Sequence, residues 1–314
     1  MDVARRTPSV LSDDDREFLS ERLGDRALFD APLAPYTSWK IGGPADALVS
    51  IESSDELADV LRRSFKRHIP RFVLGSGSNI LIGDGGIRGI VIRLGGEFAA
   101  IEVVSEGVAV VVRAGASASL ALLTAQAATK GAAGIGSLAG IPGSVGGALR
   151  MNAGTDKEMG DFVRDVWVQT PTKPDAHPVS VQYYYRHTSI GRDAIVARVT
   201  LAFPREDPAE VRADMNARLR RRKDTQPLQF PNAGSCFRNP PGDRAGRLIE
   251  AAGAKGWRAG GAEVSALHAN FIVNVDSATA LDVATLLARV RRAVFEQFGV
   301  ELQPEVHMVG EFVA

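Results

Sequence analysis

Two glycine-rich loops constrain the fold of this chain more than any other feature of its sequence. The first is Gly75-Ser-Gly-Ser-Asn79, and the second is Gly140-Ile-Pro-Gly-Ser-Val-Gly-Gly147. Glycine loses more conformational freedom on folding than other residues, so clustered glycines indicate close approach of the backbone to other backbone or to a ligand. Successive amides in the first loop can point at a phosphate. We therefore expect the loops to hold the two ends of a dinucleotide. The alternative for the first loop is a tight turn between strands, since Ile80 replaces the third glycine of a Rossmann fingerprint.

The residues around the first loop predict a small α/β unit. An apolar run at residues 47–51 is followed by Ser53 and Glu56 in the spacing of a capping box, which indicates the start of a helix. Strand-like residues 72–74 lie just before the first loop, and residues 90–94 form another apolar run. The order of strand, helix and strand predicts mixed α and β structure in this part of the chain.

The rest of the chain predicts two further units. Apolar periodicity and valine-rich runs predict strands at residues 108–112, 163–168, 195–203 and 271–275, and helices at residues 117–130, 209–223 and 280–298. Gly131 follows the first of these helices where glycine commonly ends a helix, and Pro204 and Pro208 mark a boundary. We divide the chain into a leader (residues 1–32), two subdomains (33–94 and 95–207) and a C-terminal domain (208–314).

Charge and cysteine content exclude several classes of function. The chain has 37 Lys and Arg and 37 Asp and Glu, so no overall field attracts nucleic acid or an anionic membrane. Its one cysteine, Cys236, excludes an internal disulfide framework, and the five histidines lack metal-ligand spacing. No apolar run approaches the roughly 20 residues of a transmembrane helix. The N-terminus, with Arg5 and Arg6, lacks the apolar core of a signal peptide. We expect a cytoplasmic monomer that binds no metal.

Seven short motifs follow one another in a specific order. They are Thr37-Ser-Trp-Lys-Ile-Gly-Gly-Pro-Ala-Asp46, the two glycine-rich loops, Tyr185-Arg186, Asn232-Ala-Gly-Ser-Cys-Phe-Arg-Asn-Pro240, Ala262-Glu-Val-Ser-Ala-Leu-His-Ala-Asn270 and Pro304-Glu305. No single motif is decisive, but their joint order resembles the UDP-N-acetylenolpyruvoylglucosamine reductase (MurB) family. The resemblance spans residues 33–312.

The resemblance implies an α+β fold. A two-domain FAD-binding fold of the vanillyl-alcohol-oxidase (PCMH) type would be followed by a C-terminal α+β substrate-binding domain. The cofactor implied is FAD, with NADPH as co-substrate. The reaction implied is reduction of UDP-N-acetylglucosamine enolpyruvate to UDP-N-acetylmuramate, in peptidoglycan precursor synthesis for the cell wall. The alternative is an FAD-dependent oxidase or dehydrogenase of the same fold, acting on an alcohol or sugar lactone. An inactive nucleotide-sugar-binding relative is a weaker alternative, because Arg186, Ser235 and Glu305 are all present.

The resemblance also assigns site residues by position. Arg186 would stabilise charge on the substrate carboxylate, and Ser235 would protonate the carbanion-like carbon. Glu305 would share a proton with the enolic oxygen or orient a water or Ser235. Flavin contacts are implied for Ile41, Gly42, Gly43, Pro44, Gly75, Ser76, Gly77, Ser78, Asn79, Gly140, Ile141, Pro142, Gly143, Ser144, Gly146, Gly147 and Asn152. Substrate contacts are implied for Tyr185, Lys223, Asn232 and Asn270, with Arg222 as a further candidate for the diphosphate.

Local spacing adds two expectations. If residues 234–237 are extended, their side chains alternate, so we expect Ser235 to face the substrate and Cys236 to face away. Within nine residues of Arg186 the chain reaches the strand predicted at 195–203. This leaves no room for the insertion that supplies a substrate-covering tyrosine in one subtype of the family. The chain therefore resembles the shorter subtype.

Overall fold

The protein is described by a computed structural model that covers residues 7–313. Arg5 and Arg6, which are named above as evidence against a signal peptide, lie outside the described residues. The strands are β1 Ala27–Phe29, β2 Ala45–Ile51, β3 Arg71–Val73, β4 Ile80–Ile82, β5 Ile87–Leu94, β6 Ile101–Glu106, β7 Ala109–Gly115, β8 Val163–Gln169, β9 His177–Val179, β10 Tyr183–Tyr184, β11 His187–Thr188, β12 Ile195–Pro204, β13 Arg258–Ala259, β14 Ala262–Val264, β15 Ile272–Asn274 and β16 His307–Val309. The helices are α1 Asp13–Leu23, α2 Ser54–Lys66, α3 Leu120–Thr129, α4 Val145–Arg150, α5 Pro208–Thr225, α6 Ala245–Ala251 and α7 Ala280–Phe298.

The first sheet has the strand order β1-β2-β5-β3. β5 runs parallel to both β2 and β3, and β1 is an antiparallel edge strand that comes from the predicted leader. The Ser53 hydroxyl accepts a hydrogen bond from the Glu56 amide, as predicted for the start of α2. The Glu56 carboxylate instead accepts from the Glu52 amide and from Arg26, so only half of the capping box forms. The domain boundaries themselves stay a prediction.

The second sheet is antiparallel, with the strand order β6-β7-β12-β8-β9. α3 lies where the sequence predicts it, and Gly131 follows it with a φ of +78°. α4 is not among the helices predicted from the sequence, because its Val-Gly-Gly start has low helix propensity. Tertiary contacts compensate for this: the Val145 and Gly146 amides donate to the carbonyls of Ala118 and Ala116.

The C-terminal unit packs α6 and α7 against the antiparallel sheet β13-β14-β15. α7 has the predicted bounds, with Thr279 as its N-cap and Gly299 after its last turn. Several contacts join this unit to the first one, among them a strand pairing and a buried hydrogen bond. β16 pairs in parallel with β4, and the fully buried Trp39 donates from its indole nitrogen to the Ile272 carbonyl at 2.8 Å. The C-terminal unit therefore packs directly on the first unit.

Two further properties concern residues 7–313 as a whole. None of their helices combines the length and the apolar character needed to cross a lipid bilayer. Across the same residues, His, Cys, Asp and Glu side chains form no group of three or more suited to a metal ion.

Candidate active site

The two glycine-rich loops meet between the first and second sheets. A Cβ placed on Gly75 would lie 2.8 Å from the Ser144 hydroxyl oxygen, so only glycine leaves that hydroxyl in place. The Ser78 hydroxyl donates to the Pro142 carbonyl at 2.9 Å. The loops predicted to bind one dinucleotide together are therefore in direct contact.

The first loop carries unused hydrogen-bond donors. None of the five amides from Gly75 to Asn79 donates to another residue within the described part of the chain. Successive amides of one turn that have no partner within the protein can together bind an anion. This turn fits a phosphate of the dinucleotide.

A cavity of about 160 Å³ extends from this contact between the two sheets. Its lining comes from both glycine-rich loops and from the facing strands: Val73, Leu74, Gly75, Ser76, Arg93, Leu94, Ala116, Ser117, Ser144, Gly146, Gly147, Arg150, Ala194, Ile195 and Val196. The Arg93 Nε and the Ser117 hydroxyl are buried here and have no hydrogen-bond partner among the described residues. Buried donors without partners are costly, so a polar ligand is expected to satisfy them. The residues present fit FAD.

The segment Ile41 to Pro44 has a different neighbour. The Gly43 amide donates to the Gly83 carbonyl at 3.0 Å, and a Cβ on Gly43 would lie 2.1 Å from the Asp84 carbonyl oxygen. Packing against residues 84–86 thus explains Gly43, and packing against Ile82 and Ala34 explains Gly42. Neither glycine lines the cavity between the two sheets. Their contact with the flavin stays a prediction.

Arg186 and Glu305 are brought together from different units. Arg186 lies in the two-residue turn between β10 and β11, with a φ of +57° that is unusual for a residue other than glycine. Its Nε donates to the Glu305 Oε1 at 2.9 Å. Burial raises the pKa of Glu305, while the Arg186 guanidinium acts in the opposite direction. The pair thus offers a fixed cation beside a carboxyl group that retains its proton more readily than an exposed one.

Ser235 is held next to Glu305 by backbone pairing. The Glu305 amide donates to the Cys236 carbonyl at 2.8 Å, and the Asn79 side-chain amide donates to the Glu305 carbonyl at 3.1 Å. Cys236 is 1% exposed and packs in the C-terminal core, whereas Ser235 is partly exposed. Burial thus distinguishes the two side chains, but not through regular alternation, because Gly234 has a φ of +77° and Phe237, next to Cys236, is also buried. That Ser235 faces the substrate stays a prediction. The Asn79 hydrogen bond links the first glycine-rich loop to Glu305.

The predicted substrate residues fall into two groups. Tyr185 lies beside Arg186, whose guanidinium is 4.7 Å from the centre of its ring, and Lys223 is exposed on α5. Asn232 accepts from the Gly234 amide and shapes the turn before Ser235, and Asn270 is buried with its side-chain amide paired to the backbone of Phe237. The last two side chains thus position the Ser235 segment, and their direct contact with substrate stays a prediction.

Two other predicted residues lie near the second glycine-rich loop. The half-buried Arg222 lies against Gly140, where a Cβ would be 2.8 Å from its Cδ. Asn152 is buried, and its side chain bonds to Glu158, to the Tyr184 carbonyl and to the Gly160 amide. Because these internal partners engage the Asn152 amide group, its flavin contact also stays a prediction.

Glu158 belongs to the site although the sequence did not indicate it. Its Oε1 accepts from the Arg186 Nη1 at 3.4 Å, and burial raises the pKa of its carboxyl group. The residue follows Asn152 by six positions in an irregular loop, where no periodicity connects it to Arg186. No local sequence pattern could have identified it.

Comparisons with known proteins agree on one family. The family model for the C-terminal domain of UDP-N-acetylenolpyruvoylglucosamine reductase matches residues 226–309, and an FAD binding domain model matches residues 45–172. UDP-N-acetylenolpyruvoylglucosamine reductase 2 of Symbiobacterium thermophilum is 47% identical over 89% of this chain and 91% of its own length. The reductase of Moorella thermoacetica is 44% identical over 91% of this chain and 94% of its own length.

A solved structure extends this agreement to the fold. The crystal structure of UDP-N-acetylenolpyruvylglucosamine reductase from Thermus caldophilus covers 90% of this chain and 98% of its own, with a TM-score of 0.78 and 36% identity. The predicted α+β architecture, with FAD-binding and substrate-binding parts, is thereby confirmed. The chain belongs to the UDP-N-acetylenolpyruvoylglucosamine reductase family.

Proposed function

We propose that this chain reduces UDP-N-acetylglucosamine enolpyruvate to UDP-N-acetylmuramate, with FAD as cofactor and NADPH as hydride source. The observation that carries the proposal is the Arg186–Glu305 pair beside Ser235, at the contact of the FAD-binding and C-terminal parts. The chemistry that FAD supplies when bound is hydride transfer from NADPH to the terminal methylene of the enolpyruvyl group. The reaction is one step of peptidoglycan precursor synthesis.

Arg186 has the role of stabilising the charge that develops after hydride transfer. Negative charge accumulates on the adjacent carbon and its carboxylate, and preorganised donors lower the energy of such a state. A guanidinium stays charged at all working pH values and can bind a carboxylate through two parallel hydrogen bonds. The ion pair with Glu305 fixes one edge of this guanidinium before the substrate arrives.

Glu305 and Ser235 supply protons to the intermediate, Glu305 at the enolic oxygen and Ser235 at the adjacent carbon. Burial raises the pKa of Glu305, so its carboxyl group can retain a proton and share it with the enolic oxygen through a hydrogen bond. The Ser235 hydroxyl has no partner among the described residues and is free to donate to the adjacent carbon. A serine hydroxyl is a weak acid, but the enolate is a strong enough base to accept its proton.

An anaerobic spectral experiment tests the function. The purified protein should show an oxidised flavin spectrum, which NADPH should bleach and UDP-N-acetylglucosamine enolpyruvate should then restore without oxygen. A parallel sample with UDP-N-acetylglucosamine, which lacks the enolpyruvyl group, should stay bleached. Recovery of colour with oxygen but not with the enolpyruvyl sugar would favour the oxidase alternative and refute the reductase.

We further propose that the enzyme is a cytoplasmic monomer. Its substrates, NADPH and a nucleotide sugar, are metabolites of the cytoplasm. Arg186, Ser235 and Glu305 come from one chain, so no second copy is required to build the site. Light scattering coupled to size exclusion should give the mass of a single 33.4 kDa chain, and twice that mass would refute the monomer.

A further inference from the structure

Three groups hold the Arg186 guanidinium, and two of them come from one loop. Nε donates to Glu305, Nη1 donates to Glu158 at 3.4 Å, and Nη2 donates to the Gly154 carbonyl at 3.2 Å. Gly154 and Glu158 also face each other as an isolated β-bridge. A compact loop thus holds the far end of the guanidinium while Glu305 holds the near end.

Glu158 is itself anchored to the turn that carries Arg186. Its second carboxylate oxygen accepts from the side chain of Asn152, which is 2% exposed. The same Asn152 amide donates to the carbonyl of Tyr184, at the end of β10, at 3.1 Å. The Glu158 carboxylate is therefore fixed relative to the backbone from which Arg186 projects.

Two carboxylates compete for the Arg186 guanidinium, so the fixed position of Glu158 affects how the guanidinium is oriented. A guanidinium beside one carboxylate prefers two parallel hydrogen bonds to it, which would turn Arg186 fully onto Glu305. Both carboxyl groups are partly buried, with side-chain exposures of 28% for Glu158 and 17% for Glu305. The other charged groups nearby are Asp161 on the Glu158 side and Arg238 on the Glu305 side. Among the charged groups of the described residues, Glu158 is the one that attracts the far end of the guanidinium away from Glu305, and the neutral Gly154 carbonyl adds a further acceptor there.

We propose that Glu158 is a positioning residue that keeps Arg186 from closing onto Glu305 and so leaves N–H groups directed at the substrate carboxylate. This inference rests on the proposed function for its effect on turnover. Its structural part, the orientation of the Arg186 guanidinium between Glu158 and Glu305, does not. The left-handed backbone of Arg186 agrees with it, because a strained conformation persists where the surrounding structure determines it.

Two measurements test the proposal with Glu158→Gln and Glu158→Ala in the FAD-loaded enzyme. In the oxidative half-reaction, reoxidation by UDP-N-acetylglucosamine enolpyruvate should slow by about 10- to 100-fold, as expected for a misplaced catalytic group. Bleaching by NADPH should stay within about twofold of wild type. The matched control is Glu102→Gln, an exposed glutamate that pairs with Arg113 on the second sheet. Equal loss in both half-reactions, or no loss in either, would overturn the proposal.

The second measurement is independent of turnover. Nitrogen NMR of arginine side chains should show two separate Nη signals for Arg186 in the wild type, identified by their loss in Arg186→Lys. In Glu158→Ala both signals should shift but stay separate, because the guanidinium then closes onto Glu305 through two parallel hydrogen bonds. Two unchanged signals in Glu158→Ala would refute the positioning role even if turnover fell. If wild-type reduced flavin is not reoxidised by the enolpyruvyl sugar, the proposed function fails while this result still decides the role of Glu158.

Discussion

The Nε of Arg186 lies 2.9 Å from the Oε1 of Glu305, although 119 positions separate the two residues in the sequence. One residue sits in the turn of the two-stranded hairpin β10–β11, and the other sits in the segment that leads into β16. Neither position by itself would indicate a catalytic role. Their contact gives a cation and a buried carboxyl group in one place, which is what an enolate requires.

Replacement of Arg186 should separate the two half-reactions. We expect Arg186→Lys to lower the rate of reoxidation by the enolpyruvyl substrate by about 10²- to 10³-fold, because an ammonium cannot reproduce the planar fork. Bleaching by NADPH should be retained. Anaerobic stopped-flow absorbance follows both steps, with the exposed Arg113→Lys as control. Reoxidation within a factor of two of wild type would exclude the assigned role.

Replacing Ser235 should reduce turnover strongly, whereas replacing its neighbour Cys236 should not. Ser235→Ala should lower the rate of the oxidative half-reaction by about 10²- to 10⁴-fold, the usual contribution of a general acid. Cys236→Ala should leave turnover close to wild type, since the thiol is buried in the C-terminal core. Steady-state kinetics of both variants decides the matter. The reverse outcome, with Cys236→Ala inactive and Ser235→Ala active, would exclude Ser235 as the proton donor.

The Cys236 thiol should be unreactive in the folded protein. Burial raises its pKa to about 12, so the nucleophilic thiolate is absent at neutral pH. Iodoacetamide should therefore label the native enzyme slowly and label it fully in denaturant. Mass spectrometry of timed samples measures this directly. Rapid labelling under native conditions would mean that the segment around Cys236 opens often.

Stability should depend on pH through Glu305. Its pKa is raised above 4.5 in the folded protein, so the folded state binds the proton more tightly than the unfolded chain. The free energy of unfolding contributed by this group is thus highest at low pH, and it falls as the pH rises from about 4.5 through the folded pKa. Glu305→Gln removes the ionisation, so the variant should lose this decline. Urea unfolding of both proteins between pH 4.5 and pH 8 tests the sign, and a parallel pH dependence would contradict it.

Trp39 should be a main determinant of the attachment between the first and last units. Trp39→Phe removes the hydrogen bond to the Ile272 carbonyl and leaves that buried acceptor unpaired, which costs about 1–3 kcal/mol. The urea midpoint of unfolding should fall accordingly. The control is Trp167→Phe, at a partly exposed position on β8, where the cost should be smaller. Equal losses for the two variants would show that the indole hydrogen bond contributes little.

Periodic elements of the fold could be predicted from the sequence, and short contacts between units could not. The bounds of α7 agree with its apolar periodicity at residues 280–298, because a long amphipathic helix carries its signal along its whole length. α4 was missed because its amides are satisfied by carbonyls from another segment. The pairing of β16 with β4 was missed because strands of three residues carry no pattern that specifies a partner.

Some residues of the candidate site could likewise be predicted from sequence motifs, and others could not. Motif order suggested Arg186, Ser235 and Glu305, and the structure places these residues at one contact. Glu158 could not be suggested in this manner, since its contact with Arg186 depends on how the loop of residues 152–161 folds back. A side chain that acts by positioning another residue belongs to no motif that a single sequence can reveal.

The parallel pairing of β4 with β16 has a consequence for protein synthesis. β4 leaves the ribosome roughly 230 residues before its partner strand. At elongation rates of about 5–20 residues per second, the edge of β4 waits on the order of 10 to 50 seconds for that partner. An unpaired strand edge is a template for association with other chains. The segment that brings Glu305 to the site is thus also the last to protect the nascent protein from aggregation.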